Sequence, residues 1–226
     1  MRREPILKVI VFVLVFVPMQ AAFSGCIFND KDTSHLKTYY TLTAKPDRDR
    51  AERPGTDRTL FVMDFSISPE YSGNSFVYKK NNQVITDYYN RFIIAPDKLI
   101  KAKCSFWLDQ ASIFNTVLSD NRIMKPGFVL TAKIGELACD ISQSAAPKAK
   151  IEISFILIDH EQGDEIVLNT TIKAERTFEE FTPETLVTKY NQCLAEIFTI
   201  LEGKIAERFD KPLQSLKKPF PMYTLL

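Results

Sequence analysis

The sequence predicts a single mixed α/β domain, in which a mixed, largely antiparallel sheet of about five to seven strands packs against two long helices. Three observations carry this prediction. β-rich segments recur along the chain, two stretches have apolar residues at helical spacing, and roughly 200 residues follow an N-terminal leader. A chain of that length can bury one sizeable core.

The leader, residues 1–25, has the pattern of a secretory signal that ends in a bacterial lipobox. A basic N-terminus precedes an unbroken apolar run at 9–17, and small residues stand directly before Cys26. Pro18 interrupts the apolar run well short of the about 20 residues that a membrane-spanning helix needs. We therefore predict cleavage before Cys26 and attachment of S-diacylglycerol and N-acyl lipid to it. A plain cleaved signal is the alternative.

The residue after Cys26 sets the expected destination of the protein. Ile27 stands where an aspartate would retain a lipoprotein at the inner membrane, so we expect the outer membrane, with the domain facing the periplasm. The lipid on Cys26 is the only covalent group that we expect. Residues 26–36 are a predicted lipidated tether, 37–210 the folded domain and 211–226 a proline-containing tail.

Extended segments and turns alternate through the first part of the domain. Predicted strands, rich in aromatic, β-branched or other apolar residues, lie at 38–42, 60–65, 76–78 and 84–94. Stretches containing proline and glycine at 44–58 and 66–75 predict loops between them.

Helix signals occur twice. The first predicted helix begins at Pro96, whose fixed φ suits the first helical position, and its apolar stripe is Ile100, Cys104, Trp107 and Ala111. The second begins at Thr182-Pro183-Glu184, which supply a cap, a fixed first residue and an acid in the first turn. Apolar residues at spacings of three and four then continue to about Phe209.

Three long extended segments lie between the two helices, at 128–141, 150–159 and 165–176. The last two are joined by a polar turn at 160–164, and their apolar and polar residues alternate in the manner of half-buried antiparallel strands. A three-stranded meander is the simplest arrangement that these segments predict.

Charge and cysteine content exclude several classes of function. Loss of the leader removes three basic residues and one acidic residue from totals of 29 and 28, so the mature chain is close to neutral and has no field that would attract nucleic acid. Cys104, Cys139 and Cys193 are predicted to be buried thiols, with a Cys104–Cys193 disulfide as the alternative.

No catalytic or metal-binding motif is recognisable in the sequence. The two histidines are His35 in the tether and His160, and Asp159-His160-Glu161 is better explained as a solvated turn than as a metal site, because three adjacent residues cannot all face one ion. Phosphate-binding loops, nucleophile elbows and zinc motifs are missing. We therefore expect a protein that is not an enzyme and has neither metal nor cofactor.

Several segments together resemble the auxiliary lipoproteins of ABC-type transport systems, the PqiC-like components that accompany mammalian-cell-entry (MCE) domain lipid transporters. The resemblance covers most of the mature chain to about Phe209. It rests on order and spacing of the following segments: Cys26, Tyr39-Tyr40-Thr41-Leu42, Phe76-Val77-Tyr78, Asp87-Tyr88-Tyr89, Arg91-Phe92, Ala95-Pro96, Trp107-Leu108 and Phe114-Asn115-Thr116-Val117.

The resemblance implies a non-catalytic docking or bridging component anchored at the outer membrane. Its direct partner would be the MCE-domain protein of an inner-membrane ABC transporter, and the transported molecules would be phospholipids or other hydrophobic compounds. A ring-shaped MCE partner would favour a symmetric homo-oligomer. Two other functions stay open: a carrier that holds lipid in an apolar pocket between helix and sheet, and an assembly lipoprotein for an outer-membrane protein.

Two groups of residues are candidates for partner contact. The first is the densest aromatic group of the sequence, in which Tyr71, Tyr88 and Arg91 have side chains of the types that dominate binding energy at interfaces. Packing within the sheet is the alternative explanation for these residues. The second group is Phe220 and Tyr223 in the tail, for which prolines would lower the cost of ordering on a sheet edge or in a partner groove. A disordered tail is the alternative.

Overall fold

The computed structural model describes residues 36–48, 58–119, 126–142, 146–178 and 180–210. The predicted lipidation site Cys26 and the tail residues Phe220 and Tyr223 lie outside these ranges. In chain order the elements are β1 (Thr38–Tyr40), β2 (Thr59–Val62), β3 (Ser66–Ile67), a 3-10 turn (Pro69–Tyr71), β4 (Ser75–Lys80), β5 (Gln83–Phe92), α1 (Pro96–Ala111), β6 (Thr116–Leu118), β7 (Phe128–Asp140), β8 (Lys148–Asp159), β9 (Glu165–Thr177) and α2 (Pro183–Asp210).

The sheet is organised around β7. One side of β7 pairs along its whole length with antiparallel β8, which in turn pairs with antiparallel β9. The other side of β7 pairs in succession with β2, β3 and β4, all parallel to it. Beyond them, β6 pairs with β2, and β5 and then β1 extend the sheet from β4. The meander predicted from 128 to 176 is therefore confirmed.

The mixed α/β class with two helices is also confirmed, but the described residues contain nine strands instead of five to seven. The extra strands are short. β3 lies in a segment predicted as a loop, and β6 follows α1 directly. Two or three residues are too few to show an alternating pattern, so these segments are strands only because longer neighbours hydrogen-bond to them. Antiparallel pairing makes up the longest ladders, whereas the short strands pair in parallel.

Both helices pack on one face of the sheet, which we call the inner face. In α2 the predicted apolar stripe is completely buried, and Thr182 accepts a hydrogen bond from the backbone N–H of Thr185 as an N-terminal cap. In α1 the predicted residues Ile100, Cys104 and Trp107 are buried. Leu99 and Leu108 complete the stripe instead of Ala111, which is only half-buried. The reason is that α1 ends at Ala111, with Ser112 in the left-handed conformation.

The three described cysteines are buried and free, so the alternative of a Cys104–Cys193 disulfide is not realised. Burial raises the pKa of the Cys139 and Cys193 thiols to about 12, and that of Cys104 further. These residues act as small apolar side chains in the core. Within the described ranges, none of the helices has the length and apolar character needed to cross a membrane.

Candidate partner-docking surface

Strand β5 carries a bulge that interrupts its pairing with β4. Ser75 pairs with Arg91 and Val77 pairs with Thr86, so residues 87–90 have no partner on β4. Extra residues on one strand bend it and turn their side chains away from the regular sheet. Bulges of this kind occur at sheet edges and beside functional sites.

The carboxylate of Asp87 holds this bulge in one conformation. Its Oδ1 accepts hydrogen bonds from the backbone N–H groups of Tyr89 (2.8 Å) and Asn90 (2.9 Å). Its Oδ2 accepts from the Asn90 side-chain amide (2.8 Å) and from the Tyr78 hydroxyl (2.7 Å). Because Tyr78 lies in the core, these bonds tie the exposed bulge to the interior of the domain.

The protonation states of this pair follow from the same contacts. Burial disfavours the charged form of Asp87, but the hydrogen bonds from Asn90, Tyr78 and Tyr89 outweigh it and hold the pKa of the carboxyl below its ordinary value. Burial and the bond to Asp87 raise the pKa of Tyr78 well above its ordinary value. At neutral pH the pair is therefore a carboxylate that accepts a hydrogen bond from a neutral phenol.

This arrangement predicts a pH-dependent effect of Asp87→Asn. A carboxyl whose pKa is lowered by folding stabilises the protein above its unfolded pKa of about 3.9, and this contribution is lost as the pH falls through the lower, folded value. We expect the wild type to be more stable than Asp87→Asn at pH 7, with the difference shrinking below about pH 4. Urea denaturation of both proteins at a series of pH values measures this difference in the free energy of unfolding. Asp47 is exposed, and an equal loss of stability at pH 7 for Asp47→Asn would contradict the prediction.

Two tyrosines project from the bulge into solvent. The side chains of Tyr88 and Tyr89 are 62% and 42% exposed, and their rings meet edge to face with centroids 5.1 Å apart. The ammonium group of Lys37 lies 4.6 Å from the centre of the Tyr88 ring, close enough for a cation–π interaction. The tyrosine pair is thus exposed and already ordered, which lowers the entropy cost of binding a partner.

Further exposed apolar side chains continue this surface on the neighbouring backbone. Tyr39 in β1 lies opposite Arg91 of β5, and the Ile93 backbone N–H donates to the carbonyl of Tyr40. We call the group Tyr39, Tyr88, Tyr89, Ile93 and Ile94 the β5 surface; each of its members is exposed. A cluster of this kind marks a binding site more strongly than single exposed apolar residues do.

The β5 surface lies beside the first residues of the domain. Lys37 contacts Tyr88 and is followed directly by β1. The Tyr40 hydroxyl donates a 2.6 Å hydrogen bond to Glu184 at the start of α2, and burial together with this bond raises the pKa of Tyr40 to about 12. The backbone N–H of Thr43 also donates to Asn191 of α2. The beginning of the domain is therefore fastened to its longest helix.

The structure places the residues predicted to contact a partner in different environments. Tyr88 is on the exposed bulge, whereas Arg91 is half-buried and its Nε is buried without a hydrogen-bond partner among the described residues. Tyr71 is only 2% exposed, because the 3-10 turn folds its ring into the core within 5.5 Å of the Lys79 ammonium group. The structure therefore corrects the proposal that Tyr71 contacts a partner.

Tyr89, Asp87 and Lys37 were not among the candidates for partner contact, although Asp87 and Tyr89 belong to a segment that carries the family resemblance. A usable indication exists, because Asp and Asn are uncommon inside strands and Asp87 and Asn90 flank two tyrosines within a predicted strand. The His160 ring contacts the Asp164 carboxylate in the turn between β8 and β9. In the part of the chain that the structure describes, no group of three or more His, Cys, Asp or Glu residues is arranged to bind a metal.

Comparisons with known proteins identify the fold. No protein-family model matches the sequence, and no curated protein sequence matches it. Among solved structures, protein XCC0632 of Xanthomonas campestris, from family DUF330, superposes with a TM-score of 0.64 at 14% identity, covering 76% of this chain and 97% of that one.

Two further solved structures agree with this comparison. One, described only as an uncharacterized protein, has a TM-score of 0.61 at 15% identity and covers 75% of this chain and 99% of its own. The hypothetical protein CT253 of Chlamydia trachomatis has a TM-score of 0.50 at 8% identity, with 67% and 99% coverage. The chain therefore shares the fold of a DUF330 protein.

Proposed function

We propose that this chain is a lipoprotein, anchored through Cys26 at the periplasmic face of the outer membrane, that serves as a non-catalytic docking component of an ABC-type, MCE-associated lipid transport system. The lipobox and the resemblance to PqiC-like lipoproteins support the anchor and the system, and the fold shared with XCC0632 is compatible with both. The observation that carries the docking role is the pre-ordered, exposed tyrosine pair on the β5 bulge.

Contact with an MCE-domain protein would use the β5 surface. Tyrosines supply large apolar area and a hydroxyl donor with few rotatable bonds, which explains their high share of interface binding energy. The hydrogen bonds of Asp87 fix the backbone that presents them. Because the surface lies beside Lys37, the first residue of the domain, the lipid anchor would also limit how far the surface can lie from the membrane.

The packing between α2 and the sheet supports docking over lipid carriage. Side chains on the inner faces of α2 and of β8 are fully buried against each other, including Leu194, Phe198, Ile153 and Phe155. A phospholipid chain would have to displace several of these side chains to enter. Native mass spectrometry of the purified protein provides a direct comparison: a bound phospholipid would favour the carrier, and an empty chain that binds the MCE-domain protein would favour docking.

Removal of the tyrosine pair tests the docking surface. We expect Tyr88→Ala together with Tyr89→Ala to weaken binding to the MCE-domain protein of the same bacterium at least about tenfold, since interface tyrosines commonly contribute 1–2 kcal/mol or more and 1.4 kcal/mol is tenfold. Isothermal titration calorimetry with purified proteins measures this change.

A matched control uses Phe106, an aromatic side chain on α1 that is 48% exposed and lies outside the β5 surface. Phe106→Ala should leave the affinity unchanged. Equal affinities for the wild type and the double variant, with both chains folded by circular dichroism, would refute docking through the β5 surface.

A further inference from the structure

A row of apolar side chains crosses the outer face of the sheet, on the side opposite the two helices. Strand register places five residues next to one another on five neighbouring strands: Leu118 of β6, Phe61 of β2, Val129 of β7, Ile158 of β8 and Ile166 of β9. We call these five residues the outer-face row. It is continuous, because each member is the direct cross-strand partner of the next.

Alternation along the strands shows that the outer-face row is separate from the core. Leu60, Val62, Leu130 and Leu157 flank its members in sequence and belong to the buried cluster under the helices. The row residues are neither in that cluster nor among the partly buried residues packed against it. Successive side chains of a strand point to opposite faces, so the row must lie on the outer face.

The outer-face row is apolar and yet incompletely covered by the described residues. Ile166 is 57% exposed, and Met63, which follows β2 on the same face, is 44% exposed. Phe61, Leu118 and Ile158 are half-buried, and the central Val129 is buried. An apolar stripe that spans five strands is larger than the isolated exposed side chains that soluble proteins tolerate, and it indicates an occupant.

The end of α2 leads the chain towards this row. The Phe209 ring lies 5.5 Å from that of Phe114 and 5.1 Å from that of Phe128, and the Arg58 guanidinium lies 4.3 Å from its centre. Phe128 immediately precedes Val129 of the row. The last described residues of the chain are therefore at the same end of the sheet as the outer-face row.

The length of the remaining chain fits the path from α2 to the row. Residues 211–219 can span at most about 30 Å, which is enough to pass around the end of the sheet, and residues 220–226 can span about 23 Å. The row itself crosses four inter-strand spacings, or about 19 Å. The apolar residues of the tail are most concentrated in that last segment, at Phe220, Met222, Tyr223, Leu225 and Leu226, whereas residues 211–219 contain only two leucines, Leu213 and Leu216.

Charge at one end of the row matches charge in the tail. The turn beside Ile166 contains Glu161 and Asp164, both exposed, and Glu165 follows it as the first residue of β9. In the tail, Lys217 and Lys218 are separated from the apolar segment only by Pro219, and no acidic side chain occurs from 211 to 226. Attraction between these groups favours entry of the tail at the β9 end of the row.

We propose that residues 220–226 of the same chain bind across the outer-face row, with Lys217 and Lys218 beside the acidic turn. The row then forms a small second core on the outer face, covered by residues 220–226. In this assignment Phe220 and Tyr223 pack against their own chain instead of against a partner. The assignment does not depend on the proposed transport function.

Paramagnetic relaxation tests the proposal in the mature chain from residue 26, with Cys26→Ser. A nitroxide is attached at Thr224→Cys, while the buried Cys104, Cys139 and Cys193 remain unlabelled. We expect the methyl signals of Ile158 and Ile166 to lose most of their intensity, and those of Ile85 and Ile93, in β5 and just after it, to keep theirs. Full intensity at Ile158 and Ile166 would overturn the proposal.

Two controls identify the occupant. Ile166→Asp should restore the Ile158 signal, whereas Ile85→Asp, which changes an exposed isoleucine outside the row, should not. A mixture of nitroxide-labelled chains without isotope and isotope-labelled chains without nitroxide should show no loss. Loss of the Ile158 signal in that mixture would mean that the tail of a second copy binds the row, which contradicts the proposal.

Discussion

Phe198→Ala is expected to lower the free energy of unfolding by about 3–5 kcal/mol, the range found when large aromatic side chains are removed from protein cores. Phe198 is completely buried on α2, and its ring centroid is 5.7 Å from that of Trp107 on α1. The contact joins the two helices where they share the inner face. Its loss therefore removes buried area and leaves a cavity between α1 and α2. Urea denaturation followed by the fluorescence of Trp107 measures the change.

The same deletion at Phe106 is the matched control for this effect. That side chain is 48% exposed on the outer side of α1, so Phe106→Ala should change the free energy of unfolding by no more than about 0.5 kcal/mol. Similar losses at the two positions would contradict the helix packing described for the inner face. A loss only at Phe198 would confirm which side of α1 faces α2.

The elements that could be predicted from the sequence are those in which the spacing of apolar residues matches the residues that are buried in the structure. In α2 the residues Leu186, Tyr190 and Leu194 recur at helical spacing, and all are buried on one face. β8 alternates between inner and outer residues throughout. In both elements burial repeats with the period of the backbone, so the pattern is visible without any knowledge of tertiary contacts.

Other elements depend on contacts between residues that are distant in sequence. β3 exists because Ser66 and Ile67 pair with Lys133 and Ile134 of β7. Tyr71 and Tyr88 are both tyrosines in an aromatic-rich part of the sequence, but one is buried by a 3-10 turn and the other is displayed by a bulge. Composition could indicate an interface in this region, but only the register of β4 on β5 shows which tyrosine is accessible.

The outer-face row was not recognised for a similar reason. Phe61, Val129 and Ile166 come from three distant segments, and each is an ordinary apolar residue in its own strand. They become one surface only when parallel and antiparallel pairing set the register of five strands. Linear patterns therefore predict which strand face is apolar, but not how far an apolar row continues across the sheet.

Cys26→Ser is expected to release the protein from the membrane without destabilising its domain. Each buried methylene contributes about 0.8 kcal/mol, so two or three acyl chains hold a protein firmly, whereas a chain without lipid retains no comparable anchor. Cys26 precedes the compact unit that begins at Lys37, and substitution there should leave the melting temperature unchanged. Membrane fractionation measures the release of the protein, and thermal unfolding measures its melting temperature.

A second cysteine provides the reciprocal control. Cys104 is completely buried in α1, so Cys104→Ser places a hydroxyl in an apolar site at a cost of about 1–3 kcal/mol. We expect this variant to melt at lower temperature but to stay in the membrane fraction, the opposite of Cys26→Ser. Membrane association of Cys26→Ser would show that another part of the chain provides the anchor.

The consequence for function follows from the position of the tether. The β5 surface lies beside Lys37, the first residue of the domain, so the proposed anchor on Cys26 would determine which region of the periplasm this surface can reach. Cys26→Ser should therefore keep its affinity for the MCE-domain protein in solution and yet fail to support lipid transport in cells. Normal transport by the released protein would show that tethering is dispensable, and the proposed bridging role would then be wrong.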